Sequence, residues 1–362
     1  MPTTIRTRVD ALAHPIRPRT WRDAFSLDLS KASWAVPARV GVAVGAVLVV
    51  GGVLGLHDIA GFAALGALVS AFCRPDPYRV RSVRLLALGV GMTAATVIGG
   101  VVGLSGGALV TEIVVIASLA GAAAAFIASV RIAGPGAVVF VFAATAAAGA
   151  VDDASGLIRA VGATAAGAVI GIVASLAPWL WQRVRHPRRN LDTEEPDPHY
   201  ESIWRSLARV TDTPIVVNAT RTMLAAAASA TAAAAAGLSH PMWAAMGAVA
   251  ALQGLSYHVT VTRGLSRLLG NVAGAAIAAA LLAVPLGYWG AVIAIVIFQV
   301  IAEITAPVNY TIASSVVTPM ALLLTALSAG LSPVAAVDRV LDTLIGIVVG
   351  IVIAALTITA HD

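Results

Sequence analysis

Twelve apolar stretches, separated by breaks whose basic residues alternate between many and almost none, constrain this chain more than any other feature. If every stretch crosses a bilayer, Lys31 and nineteen arginines fall on the side that holds the N-terminus. Only Arg159 and Arg339 fall near the opposite side, and Arg221 lies inside a stretch. A 20:2 split follows the positive-inside rule, which predicts a plasma (inner) membrane protein with cytoplasmic N- and C-termini. A water-soluble fold has no reason to sort its arginines by alternate loops. Composition agrees, with 59% hydrophobic residues, 11% charged and a mean hydropathy of +0.91.

A net charge of +5 and a pI near 10.0 would suit a nucleic-acid binder. The excess, however, sits beside the apolar segments, where it sets topology and attracts anionic lipid. No nucleic-acid partner is expected. The single cysteine, Cys73, excludes an intrachain disulfide and is predicted to be a reduced thiol in a cytoplasmic loop. Residues 1–35 are polar, with no apolar core, and read as a cytoplasmic tail, partly helical around Trp21 to Trp34, rather than a signal peptide.

The predicted segments are 36–56, 60–73, 83–103, 107–130, 134–150 and 157–180 in a first half (36–181), then 215–237, 241–256, 265–284, 288–304, 309–328 and 336–359 in a second (214–360). Between them 182–213 reads as a polar cytoplasmic linker with Pro187, Pro196 and Pro198. A crossing helix needs ~20 residues, so 60–73 and 241–256 are short, and they stand at matching places. Short paired spans point either to a transport site or to helices buried against neighbours.

The halves are related. "GLHDIAGFAALGALVSAF" (55–72) matches "GLSHPMWAAMGAVAALQG" (237–254), "RLLALGVG" from Arg84 matches "RLLGNVAG" from Arg267, and "GAVIGIV" (167–173) matches "GIVVGIV" (346–352). With an even number of spans in each, both halves start on the same side, which makes the repeat parallel. The expected fold is therefore an all-α polytopic membrane protein of about 12 transmembrane helices in two parallel six-helix repeats. Gly41/Gly45, Gly167/Gly171, Gly270/Gly274 and Gly346/Gly350 are predicted to let helices approach closely in lipid.

No catalytic constellation emerges. The histidines lack metal-ligand spacing, Cys73 has no partners, and no Gly-rich loop ends in Lys-Ser or Lys-Thr, so no enzyme, metal or cofactor is expected. The remaining candidates are polar groups inside apolar segments, which by default face a cavity or pair with one another. Arg39 and Arg221 occupy matching sites in the first helix of each half and form either a cationic constriction or, above all for Arg39, snorkelling charges. Arg159 and Arg339 are read as a second matched pair. Asp338 and Asp342 flank Arg339 at helical spacing, as ion-pair partners or as carriers of a coupled proton. Glu303, Glu112, Gln299 and Asn309 are weaker candidates, and His240 reads as an external turn residue.

The strings "HPMWAAMGAVAALQ" (240–253), "RGLSRLLGNVAG" (263–274), "NYTIASSVVTPMALLLT" (309–325) and "DRVLDTLIGIVVG" (338–350) occur in an order and spacing that resemble the fusaric acid resistance (FUSC) family of integral membrane transporters, which includes aromatic acid exporters. The resemblance implies export of organic anions, aromatic carboxylates among them, and a likeness to plant aluminium-activated malate channels, whose six-helix units pair around an anion path. The first half lacks the Asn-Tyr and Asp-Thr elements and looks like a diverged copy. The expected function is export of a small organic anion between the repeats, with Arg39, Arg221, Arg159, Arg339 and Asn309 along the path and Asp338, Asp342, Glu303 or Glu112 coupling a proton. A passive anion channel and a structural subunit of an envelope-assembly complex are the rivals. Membrane lipid is an expected partner, and a homo-oligomer or accessory subunit is compatible with the sequence.

Overall fold

A computed structural model describes residues 18–185, 200–253, 257–329 and 334–357. Among these residues there are helices and no strands. That is the expected outcome where lipid offers no hydrogen-bond partners, since a helix satisfies its backbone within one segment. After α1 (Pro18–Ala24) the first half comprises α2 (Ala35–Val53), α3 (His57–Ala67, extended by a 3-10 turn at Leu68–Ala71), α4 (Tyr78–Leu104), α5 (Leu109–Val130), α6 (Val138–Ala150) and α7 (Ala154–Arg185). A short α8 (Ile203–Ala208) precedes α9 (Thr213–Ala235), α10 (Pro241–Ala251), α11 (Tyr257–Leu282), α12 (Gly287–Thr305), α13 (Tyr310–Ala329) and α14 (Val334–Leu356).

Each predicted apolar segment thus carries a helix. Eight of them, α2, α4, α5, α7 and α11 to α14, are long and apolar enough to cross a membrane. Helices α3, α6 and α10 are shorter, and α9, though 23 residues long, is not among the eight. The protein is an integral multi-pass membrane protein. Its outward surface fits that solvent: Val42, Val90, Val110, Val169 and Ile293 are all exposed, an apolar rind that would aggregate in water.

The two short helices at matching places, α3 and α10, are interior. Every residue from Met242 to Ala251 is buried, and so is most of α3. Enclosure by protein explains their length, because a helix that does not face lipid need not match the bilayer. Helix α3 packs on α7, as α10 packs on α14; α4 packs on α6 and α7, as α11 packs on α13 and α14. The halves meet crosswise, α2 against α12 and α9 against α5.

The predicted glycine stripes lie at close approaches. A methyl group on Gly167 would strike Ala63 O, and one on Gly346 would strike Ala244 O. Gly270 faces Thr311 O, and a Cβ on Gly274 would come within 2.5 Å of Ser315 O. Proline at 319 has no N–H to offer Ser315 O, and this freed carbonyl is the one that Gly274 approaches. Gly41 and Gly45 sit against Val300 and Val296 of α12, on the seam between the halves.

The predicted tail is partly helical, as expected around Trp21, whereas the predicted linker differs from the expectation. Helix α1 occupies part of the predicted tail, Asp28 N–H donates to Val308 O at 3.1 Å, and residues 1–17 lie outside the described set. Helix α7 runs to Arg185, into the predicted linker, and α8 is helical; residues 186–199 are not described.

Candidate functional site

The loops Phe72–Pro77, Arg131–Ala137 and Ala306–Asn309 gather at one end of the bundle, here termed the basic end. Cys73 N–H donates to Ala133 O at 2.8 Å, and side chains from all three loops approach one another there. Burial, with Asp76 nearby, pushes the Cys73 thiol up to about 12, and burial lowers the Arg74 guanidinium from its ordinary value.

Above these loops the four separated strings quoted above converge. On α14, Arg339 is 6% exposed. Its carbonyl accepts from Asn271 Nδ2 on α11 at 2.8 Å, and Asn271 Oδ1 accepts from Thr318 of α13 at 2.7 Å. One buried amide thereby ties three helices together and fixes where the guanidinium of Arg339 emerges. That guanidinium lies 5.0 Å from the ring centre of Trp243, close enough for a cation–π attraction. Trp243 in turn stacks on His240 at 4.2 Å, and His240 Nδ1 is 3.6 Å from Asp338.

Arg339 borders a cavity of about 420 Å³ between the halves. Leu68, Val138 and Phe142 wall it from the first half; Met246, Tyr310 and Met320 wall it from the second. Arg74, Arg263, Arg267 and Glu303 also line it. Arg74 pairs with Glu303, whose Oε1 accepts from Gln299 at 3.1 Å. Arg263 lies 4.4 Å over the Tyr310 ring, and Arg267 reaches the Tyr310 hydroxyl at 3.4 Å. Among the described residues, no carboxylate lies within 4.0 Å of Arg263, Arg267 or Arg339, and the Nε of each is buried with no hydrogen-bond partner. Arg339 is buried, Arg263 and Arg267 are part-buried, and a guanidinium in such a place without a directly bound carboxylate is costly; an anion in the cavity would offset that cost. The volume lies within the ~300–1,000 Å³ typical of small-molecule sites. An apolar, aromatic wall with a cationic rim suits a planar carboxylate, which arginine binds in a fork.

Most of the arginines expected along the path are elsewhere. Arg221 donates to Thr357 O at the end of α14, and Arg39 approaches Ser70 O at 3.5 Å, in the turn that ends α3. Both satisfy carbonyls that a helix C-terminus leaves open, and neither lines the cavity. Arg159 forms a half-exposed ion pair with Asp58 at 2.7 Å. Asn309 also lies outside the cavity lining: its Oδ1 accepts from Ile312 N–H at 2.9 Å, capping α13, while its Nδ2 donates to Ala24 O and Ser26 O.

The matched pair of Arg159 and Arg339 needs correction. Aligning Gly167 with Gly346 sets Arg159 opposite Asp338 and Ala160 opposite Arg339. One residue turns a helical side chain by about 100°, enough to carry it from the rim to the interior. Among the carboxylates, Glu303 lines the cavity; Asp342 is fully buried one turn from Arg339, with neither oxygen hydrogen-bonded among the described residues; Asp338 faces His240; and Glu112 is half-buried in the first turn of α5, off the cavity. Sequence reasoning missed Arg263, Arg267, Arg74 and Tyr310 as lining residues. A signal existed for two of them: Arg263 and Arg267 are four residues apart on one helix, hence on one face.

Residues 225–353 match the family model described as fusaric acid resistance protein-like, the family that the second half resembles by its strings. The chain is also similar to the uncharacterized membrane protein YvaC of Bacillus subtilis (strain 168), at 29% identity over 163 residues, 45% of this chain and 25% of that protein. The chain therefore spans about a quarter of the length of this curated relative. No solved structure matches it.

Proposed function

We propose that the protein is a membrane transporter that exports small organic anions, aromatic carboxylates among them, through the cavity between its halves. The observation that carries this reading is the set of three guanidinium groups, Arg263, Arg267 and Arg339, that border an aromatic-lined cavity without carboxylate partners among the described residues. The match of residues 225–353 to a fusaric acid resistance protein-like family supports a transport role.

The proposed architecture is two parallel six-helix repeats, α2 to α7 and α9 to α14, in the plasma (inner) membrane with cytoplasmic termini. Support comes from the recurrence of the same packing partners in each half, the crosswise seam, and the sorting of arginines to one side. The site shifts relative to the sequence expectation: Arg263, Arg267 and Arg339 hold the carboxylate beside Tyr310. Asp342 and Glu303 are the carboxylates proposed to carry a coupled proton.

Purified protein in vesicles loaded with benzoate tests the reading. Arg339→Gln is expected to lower efflux roughly 10- to 150-fold, the span set by one charge-assisted hydrogen bond worth ~1.5–3 kcal/mol. Efflux equal to that of the parent protein would remove Arg339 from the path. Reversal potentials that follow the benzoate gradient, with no dependence on a proton gradient, would convert the transporter into a channel.

A further inference from the structure

We infer that the basic end holds a second anion-binding compartment, joined to the first at Arg263 and Gly134, for an anion that carries an apolar body. A cleft of about 660 Å³ opens between α5, the Arg131–Ala137 loop, α9, α10 and α11. Its apolar wall includes Ile127, Ile132, Ile215, Val249 and Leu252, and its cations are Arg131, Arg209 and Arg263. Asp212 is the one carboxylate in the lining. Arg209 is engaged by Glu201 at 2.5 Å and by Ser129 O at 3.2 Å. Arg131 caps α5 in a left-handed conformation, and neither it nor Arg263 has a carboxylate partner among the described residues.

The boundary between the compartments is specific. Arg263 lines both, and it donates to Gln253 Oε1 at 3.3 Å. That bond orients the amide, and Gln253 Nε2 is then buried with no partner among the described residues. Gln253 lines the cleft beside Arg263, whose Nε also lacks a partner among the described residues. Buried donors without acceptors are costly, and a carboxylate, sulfonate or phosphate oxygen would satisfy them. Gly136 holds a φ of +82°, which favours glycine, and a Cβ there would come within 2.6 Å of the Gln253 amide. The loop thus leaves room for this amide in the wall of the cleft beside Arg263.

As a loading station for export, the compartment rests on the transport reading; as an anion site, it stands apart from it. The shared ligand chemistry is an acidic head on an apolar body, supplied either by a soluble organic anion or by an anionic lipid. The test uses the full chain in nanodiscs, with Asn218→Cys placed in the cleft. Native Cys73 is buried, and its thiol is pushed up to about 12, so it contributes little background. Labelling rates for a matched pair of anionic and cationic methanethiosulfonates are measured, each divided by its rate with a free thiol.

The expected result is an anionic preference of about tenfold, as two guanidinium charges at close range would give, falling to near unity in Arg131→Gln combined with Arg263→Gln. Equal rates in the parent background, or a preference that survives both substitutions, would overturn the site. Protection by 4-fluorobenzoate in phosphatidylcholine discs assigns it to a soluble anion. Loss of labelling on adding phosphatidylglycerol, without protection by 4-fluorobenzoate, assigns it to a lipid headgroup. Anion preference without benzoate efflux sinks the transport reading and leaves the site standing; efflux without anion preference does the reverse.

Discussion

The two halves share a packing plan and differ in what they place at its centre. In the first half, the positions that align with Trp243, Asn271 and Arg339 hold Gly61, Leu88 and Ala160. Gly61 lets α3 approach Leu324 O of α13, and Leu88 and Ala160 are buried and apolar. The second half uses the same positions for a ring, an amide and a cation. Even the matching Arg84 and Arg267 diverge: Arg84 is buried against Asp76 at 2.8 Å, whereas Arg267 borders the cavity with no carboxylate partner among the described residues. One half is a packed wall and the other supplies most of the chemistry. Each further buried charge in the first half would add desolvation cost.

The largest effect should fall where the halves are alike. Gly167→Leu and Gly346→Leu each push a side chain into backbone atoms of the neighbouring helix, so both should abolish monodisperse protein in detergent, well beyond the ~1–3 kcal/mol of ordinary overpacking. Gly162→Leu, on the same helix but facing open space, serves as the control and should behave as the parent. Tolerance at one site and collapse at the other would break the likeness of the two packings.

Next in size is the divergence of the paired arginines. Arg84→Gln strands buried Asp76 and should destabilise by about 3–5 kcal/mol, read as a fall in melting temperature. Arg267→Gln leaves no buried carboxylate behind, so its melting temperature should stay close to the parent while benzoate affinity weakens by about tenfold. Equal destabilisation in the two variants would mean that Arg267 has a structural duty like that of Arg84.

At the opposite end of the bundle, the halves carry one contact with its charges exchanged: Asp58 with Arg159 in the first, His240 with Asp338 in the second. The first pair is half exposed, so Asp58→Asn should cost about 1 kcal/mol or less. His240→Arg, which makes the second pair permanent, should gain no more than that. A thermal shift beyond this range in either variant would give these pairs a larger role than surface screening allows.

The smallest effect concerns acid. Asp153 accepts from Gly156 N–H at 2.6 Å and from the Ser155 hydroxyl at 2.9 Å, contacts that hold its carboxyl below the ordinary 3.8. A lowered value means that its contribution is present above that range and is lost as pH falls through the lower, folded value. The matching position in the second half is Ser332, which carries no such charge. Asp153→Asn should therefore remove a slight loss of stability below about pH 4 and leave neutral-pH behaviour nearly unchanged, as a pH series of melting curves would reveal.

Much of the fold was legible because segment length, apolarity and small-residue spacing are local quantities. The helices at 57–71 and 241–251 were recognisable as short, and the glycines four apart fell on backbone contacts. The site was legible in part. Arg339 and Glu303 line the cavity, but Arg39 and Arg221 were assigned to a path by their shared position when each serves a helix end. Arg263 and Arg267 were counted as topology markers because they stand near the start of an apolar run. Their role depends on Tyr310, more than forty residues away, and no spacing rule joins them.

The order of residues alone determined that this chain lives in lipid as a set of helices, because an unpaired backbone in hydrocarbon admits few alternatives. Tertiary structure decided which cations keep a charge available. A step of one residue turns a side chain by about 100°, and only the neighbours it then meets determine its role: a carbonyl for Arg221, a carboxylate for Arg84, a cavity for Arg339.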